Sequence, residues 1–280
     1  MKISVNHCTV YRYDNPVILG PHTFRLRPRM TNTQRLVAYE VEIVPPPAGT
    51  TECLDQDGNL SLYAWFGIPT HELTVRSSFT VEMARGNPFD FVLADNDLKI
   101  PLSYTEPLGA SLATYRDSTG VSDAVERFAH GVASEAEWRT IPFLDTLNRQ
   151  LFEQSTHVTR PEGPPYSSQL TLTLLEGSCR DLAVLFCDAC RALGFATRFV
   201  SGYECSAAGQ PGSYMHAWSE VYLPNAGWRG YDPSRGLAVS NGHVAVAGGF
   251  DYNLAAPISG SYTGGSESAM DATLEMQVQL

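Results

Sequence analysis

From Met1 to about Met83, apolar and polar residues alternate through ISVNHCTVYRY, QRLVAYEVEIV, NLSLYAWFGI and ELTVRSSFTVEM, segments rich in Val, Tyr, Phe and Thr. A period of two carried by β-branched and aromatic residues predicts strands with one covered face. Pro45-Pro46-Pro47 and Asp57-Gly58 punctuate them, the latter as a hairpin turn. The expectation is a small antiparallel β-sandwich. Arg85 to Leu108, with Asn87-Pro88 and Pro101, reads as a connector holding one short strand. We place the boundary there: residues 1–105 form an N-terminal β domain and residues 106–280 a second domain.

In that second domain the period changes. Ser122 to Ala133 and Ile141 to Glu153 carry helical spacing, with Ser122-Asp123 to cap the first and Phe143, Leu144, Leu147 and Leu151 along one face of the second. The strongest pattern is Leu175 to Gly194, LEGSCRDLAVLFCDACRALG. Leu182, Leu185, Phe186, Ala189, Cys190 and Leu193 recur every three or four residues, Gly177 and Ser178 provide a turn and cap, and Gly194 closes the helix. Ala196 to Tyr203 then reads as a strand and Glu204 to Tyr214 as a loop, expected to wall the cleft and to move. Met215 to Leu223 and Trp228 to Gly236 read as two strands joined by the turn Pro224 to Gly227, and Ala272 to Leu280 as a closing strand.

Composition narrows the function. With 280 residues, 43% hydrophobic and 18% charged, the chain is long enough for one large or two ordinary domains with a real core. A net charge of −11 argues against nucleic acid or anionic lipid as partners. No apolar run reaches the roughly 18 residues of a membrane span, and MKISVNHCTVYRYD lacks an apolar leader core. Cysteines 8, 53, 179, 187, 190 and 205 form no compact disulfide framework. The expected location is therefore the reducing cytoplasm.

The candidate chemistry starts at Cys179. A thiol in the first turn of a helix faces unpaired N–H groups and the positive end of the helix dipole, which favour the thiolate and can hold an oxyanion. His216 heads one strand of the predicted hairpin and Asp232 ends the other, and antiparallel pairing brings the two together. The roles follow: Cys179 attacks, His216 accepts and returns the proton, and Asp232 orients the imidazole. Cys187-x-x-Cys190 lies inside the helix and reads as core. Asp55, Asp57 and Asn59 imitate the start of a calcium loop, but Leu60 and Phe66 stand where its glycine and bidentate glutamate belong, so an acidic hairpin is expected. Arg180 and Asp181 are assigned to ion pairing at the helix start, and Trp218 and Trp228 to packing around the triad.

Three blocks in this order resemble the bacterial transglutaminase-like proteins: Gly177, Cys179 and Asp181 as G-x-C-x-D; His216, Ala217, Trp218, Glu220, Val221 and Tyr222 as H-A-W-x-E-V-Y; Gly227, Trp228, Asp232 and Pro233 as G-W-x-x-x-D-P. The resemblance spans about Glu153 to the C-terminus, and more weakly the first hundred residues. It implies an α+β chain: an N-terminal antiparallel β-sandwich, then a papain-like transglutaminase core in which the Cys179 helix packs on an antiparallel sheet carrying His216 and Asp232. It implies acyl transfer on peptide or protein amides through a thioester, with hydrolysis preferred, transamidation as the alternative, and no cofactor or metal. It also implies an oxyanion hole made by the Cys179 N–H and an upstream donor, for which Tyr166 and Gln169 are available. Where many relatives carry Gly-Arg-Asp-Tyr, this chain has Gly249-Phe250-Asp251-Tyr252, a difference that bears on selectivity and not on the triad. A reading of another class, a non-catalytic peptide-binding module, keeps the fold without the reaction.

Overall fold

The computed structural model describes every residue except 85, 161–162, 206–214 and 280. The predicted cleft loop over Glu204 to Tyr214 lies almost wholly outside the described residues. The N-terminal strands are β1 (Lys2–Phe24), β2 (Gln34–Val44), β3 (Gly49–Leu54), β4 (Leu60–Trp65) and β5 (Thr70–Met83). After the connector come α1 (Leu108–Ser111), α2 (Asp123–Glu135), α3 (Thr140–Gln154), β6 (Thr156–His157), α4 (Ser168–Leu174), β7 (Glu176–Gly177) and α5 (Cys179–Ala192). The chain ends with β8 (Thr197–Glu204), β9 (His216–Leu223), β10 (Gly227–Asp232), β11 (Leu237–Ala238), β12 (His243–Gly249), β13 (Ile258–Thr263) and β14 (Ser268–Gln279).

Strand β1 is shared by two ladders. Its first half pairs antiparallel with β5 and β14; the register then shifts between Arg12 and Val17, and its second half pairs with β4 and β13. Pro16 falls inside that shift, where a residue without an N–H cannot serve a regular ladder. The predicted closing strand exists as β14 but is laid against β1, so both ends of the chain build the N-terminal sheet. The connector carries a short 3-10 turn at Asp95–Asp97 and a single bridge between Lys99 and Arg139 in place of the strand expected there.

The second sheet runs β11-β10-β9-β8-β12, all antiparallel. On one side the apolar stripe of α5 meets it: Leu185, Phe186, Ala189 and Cys190 pack with Val221, Leu223 and Tyr231, backed by Phe143, Leu144 and Leu147 of α3. On the other side Tyr203, Val244 and Val246 pack against Ile3, Val5, Phe79 and Val81 of the N-terminal sheet. Covered on both faces, β8 is buried at every residue, the signature of a central strand. The architecture is α+β, with an N-terminal antiparallel sheet docked on a core of helices packed against a second antiparallel sheet. No helix among the described residues is long and apolar enough to cross a membrane.

Docking solves an edge problem. β12 ends its sheet, and exposed ladder groups are costly to bury unpaired. Two side-chain amides from the N-terminal region act as a surrogate strand. Gln34 donates to Ala245 O at 2.9 Å and accepts from Ala245 N–H at 2.9 Å. Asn59 donates to Gly248 O and accepts from Gly248 N–H, both at 2.8 Å, while Arg29 donates to its Oδ1 at 2.7 Å. Asp55 shapes the hairpin that presents Asn59, accepting from the backbone of Asp57 and Asn59. The acidic cluster is thus turn and latch. Replacing Asn59 by Ala strands Gly248 and Arg29 and is expected to cost about 2–3 kcal/mol by chemical denaturation; a loss under about 0.5 kcal/mol would contradict the latch.

Candidate active site

Cys179 is the first residue of α5, after the N-cap Ser178. Asp181, fully buried, fixes this turn: its Oδ2 accepts from Ser178 N–H and Oγ–H at 2.7 Å each, and its Oδ1 from Tyr166 N–H at 2.6 Å. Arg160 Nη1 adds bonds to both oxygens at 2.6 and 2.7 Å. Burial alone would raise this carboxyl, but these donors outweigh it and hold it below its ordinary value. Gly177 is required by close approach, since a methyl there would sit 2.8 Å from Asp181 Cβ. The G-x-C-x-D spacing therefore ties the head of α5 to Arg160 and Tyr166 beside it.

His216 opens β9 opposite Gly202 of β8, and Asp232 ends β10. The β9–β10 register sets Tyr231 against Ser219, leaving Asp232 diagonal to His216 on one face. His216 Nε2–H donates to Asp232 Oδ2 at 2.7 Å. Cys179 lines the same cleft as this imidazole and favours its charged form. Gly202 leaves room for Trp218, whose ring would lie 2.6 Å from a methyl at that position.

Burial disfavours a charged His216, yet the hydrogen bonds and charges of Asp232 and Cys179 outweigh it and raise its pKa to about 10. Burial pushes Asp232 up, but bonds from His216 and His243 hold it far below the usual carboxylate range. His243 was not foreseen from the sequence, where it shows no spacing to either motif. Its Nε2 lies 3.0 Å from Asp232 Oδ2, and Ser234 donates its N–H and Oγ–H to Oδ1 at 3.1 and 2.8 Å. His216, Asp232 and His243 put three potential ligand atoms within 4.8 Å, as a metal site would. Here Asp232 Oδ2 lies within hydrogen-bond distance of Nε2 of both rings.

Cys179 and His216 open into a cleft of about 730 Å³ between the two sheets. Val158, Thr159 and Arg160 line one side; His7, Thr9 and Tyr11 of β1 with Met270, Ala272 and Leu274 of β14 line the other. That the N-terminal sheet walls the site was not visible in the sequence. His7 is lowered to about 4 by burial and bonds Tyr203 Oη at 2.9 Å and Thr9 Oγ1 at 3.0 Å, a neutral structural ring.

The two upstream oxyanion candidates sit elsewhere. Tyr166 spends its N–H on Asp181 and lies under the Arg160 guanidinium, 3.7 Å from its ring centroid. Gln169 is exposed on the first turn of α4, and neither residue lines the cleft. Trp218 packs edge-on to His243 within the site, with centroids 5.3 Å apart. Trp228, four residues before Asp232 on β10 and so about 13 Å along the strand, packs instead edge-on against Tyr115 and Tyr222 and lies under the Arg198 guanidinium. Cys187 and Cys190 are buried core thiols, both raised by desolvation.

Residues 3–82 match the bacterial transglutaminase-like N-terminal region and residues 126–233 the transglutaminase-like superfamily. An uncharacterized protein of Mycobacterium tuberculosis H37Rv is 28% identical over 295 residues, covering 98% of this chain and 92% of its own length. A protein-glutamine gamma-glutamyltransferase of Pseudomonas aeruginosa is 32% identical over 94 residues, 30% of this chain and 14% of that one. The crystal structure of a candidate cysteine protease from Cytophaga hutchinsonii superposes with a TM-score of 0.71 at 19% identity, covering 100% of this chain and 91% of that one, which establishes a shared fold. Residues 126–233, which hold all three motif blocks, thus match the transglutaminase-like superfamily, and residues 3–82 match the bacterial N-terminal region of transglutaminase-like proteins.

Proposed function

We propose that this protein is a Cys-His-Asp acyl-transfer enzyme acting on peptide or protein amides, with water as the preferred acceptor. One observation carries the reading: the His216 imidazole, bonded to a buried carboxylate, shares one cleft with the Cys179 sulfur at the head of α5. In the proposed cycle the Cys179 sulfur anion, with the His216 imidazolium as counter-ion, adds to the amide carbon. The oxyanion is met by the orphan first-turn N–H groups of α5, that of Cys179 included. His216 passes its proton to the leaving nitrogen, the C–N bond breaks and a thioester remains. His216, now neutral, takes a proton from water, whose oxygen displaces the sulfur as the carboxylic acid forms.

An amine reaching the thioester first would make the enzyme a transamidase, the activity named for the Pseudomonas relative. Hydrolysis needs only water in an open cleft, whereas transamidation needs a second site for the amine; this favours hydrolysis. No cofactor enters the cycle. A reducing, cytoplasmic setting suits six cysteines that all carry free thiols.

Two measurements test this. Iodoacetamide is expected to alkylate Cys179 near neutral pH at least tenfold faster than Cys205, and His216→Ala to abolish the difference. Equal rates in both proteins would leave a peptide-binding module. Incubating glutamine-containing peptides with a primary amine should then yield cleaved or deamidated peptide in excess of amine adduct; predominant adduct would reassign the enzyme as a transamidase.

A further inference from the structure

Resting on the roles proposed above for Cys179, His216 and Asp232, we propose that His243 is a positioning residue of the same site. Its Nε2–H shares Asp232 Oδ2 with His216, fixing the carboxylate and moderating its grip on the catalytic imidazole.

His243 opens β12 opposite Glu204 of β8, and its side chain is 3% exposed. One nitrogen bonds Asp232; the other, Nδ1, is buried with no hydrogen-bond partner among the described residues. A buried polar atom without a partner costs stability, so a residue serving only to fill this space would be better replaced by an apolar one. The imidazole is justified by its single bond to Asp232. Because Oδ2 accepts, Nε2 carries the hydrogen of this contact.

Asp232 then receives four donors, two on each oxygen: the imidazoles of His216 and His243 on Oδ2, and the N–H and hydroxyl of Ser234 on Oδ1. Both oxygens are pinned, which fixes the plane in which His216 is held. Sharing Oδ2 also divides its charge. Without His243 that oxygen serves His216 alone, the imidazolium is held more tightly, and it yields its proton less readily when water must be activated against the thioester. The ionisable groups facing this cluster are Cys179 on α5, His157 on β6, Glu204 on β8 and Arg235 beyond β10, the last two ion-paired at 3.2 Å. A substitution at 243 leaves all of them in place.

Proton and nitrogen NMR of the imidazoles tests this in the intact chain. In the wild type, His243 should be the Nε2–H tautomer with bare Nδ1; the opposite tautomer overturns the proposal without any variant. In His243→Leu, the titration midpoint of His216 is expected to rise by about one pH unit, a tenfold change in proton affinity and the size of one hydrogen bond to a charged group. His243→Gln, which keeps an N–H donor, should return the midpoint most of the way. An unmoved midpoint in His243→Leu, or equal movement in both variants, rejects the positioning role, since space filling alone shifts neither. Iodoacetamide labelling separates the two readings. Loss of His216-dependent alkylation in the wild type removes the acyl-transfer reading, whereas normal alkylation with an unmoved midpoint removes only the role of His243.

Discussion

Exchanging Asp232 for asparagine is expected to lower kcat/KM by about 10³-fold or more while leaving the fold intact, as loss of the orienting carboxylate does in other triads. The cause is a mismatch of donors. Four N–H or O–H groups converge on the two carboxylate oxygens; an amide offers one oxygen and one NH₂, so two of the four contacts become donor against donor. His216 can relieve its clash by moving its proton to Nδ1, and Cys179 then loses the acceptor for its own proton. The charge effect has a definite sign. His216 titrates near 10 because Asp232 and Cys179 outweigh its burial; without the carboxylate, burial dominates and the imidazolium dissociates at lower pH. The alkaline limb of kcat/KM should therefore move toward acid, opposite to the shift expected for His243→Leu. Folding stability follows the same linkage. A histidine raised above 6.5 contributes stability that is fully present below that value and is lost as pH rises toward about 10, so Asp232→Asn should flatten this window. An unchanged alkaline limb, or activity within tenfold of wild type, would remove Asp232 from the proposed site.

How much of this was legible in the chain depends on how local the causes are. The α5 stripe and the β9–β10 hairpin are short-range patterns, and pairing across one tight turn places His216 beside Asp232 without reference to the rest of the molecule. The same holds for the Ser122 cap, which accepts from Val125 N–H at 3.4 Å. Long-range partners left no such trace. Ser268–Gln279 alternates like any edge strand, and nothing in it announces that Lys2 will face Gln279. GHVAVAGG is rich in Gly and Ala because Asn59, Arg29 and Phe199 crowd Gly248, so its strand character is masked by the packing that requires it.

Local pattern and chain order leave the stretch before the nucleophile unspecified. SQLTLTLL has the alternation and β-branching of a strand, yet Ser168–Leu174 is a helix, capped by Ser167 accepting from Leu170 N–H at 3.2 Å and packed on α5. Tertiary packing overrode propensity there. Tyr166 and Gln169 were chosen as oxyanion donors for lying upstream of the nucleophile, and chain order carries no information about which way a segment faces. Tyr166 was already committed, through its N–H, to the aspartate of the motif. His243 was overlooked because its partner is a side chain eleven residues earlier, on a strand separated from its own by two others in the same sheet, a spacing belonging to no helix, strand or ligand pattern.

Asp181 offers the complementary experiment, because it shapes the site without touching the triad. Asp181→Ala leaves Ser178 N–H buried and unpaired, frees Tyr166 N–H and removes the counter-charge of Arg160, whose side chain is only 20% exposed. Breaking a buried ion pair from one side costs about 3–5 kcal/mol; the partial exposure of Arg160 places the expectation at about 3 kcal/mol, a fall in Tm of roughly 6 °C or more for a chain of this size. The carboxyl is held below its ordinary value, so its contribution is present above the usual carboxylate range and lost as pH falls through the lowered value. The gap between variant and wild type should therefore close on acidification. Alkylation of Cys179 should slow as the first turn loosens, and the His216 titration midpoint should move less than in Asp232→Asn, because Asp232 and His243 are untouched while only the Cys179 contribution changes. A Tm within about 2 °C of wild type would show that the head of α5 holds without its aspartate, and a midpoint displaced as far as in Asp232→Asn would show that the cap and the His216–Asp232 pair are one network.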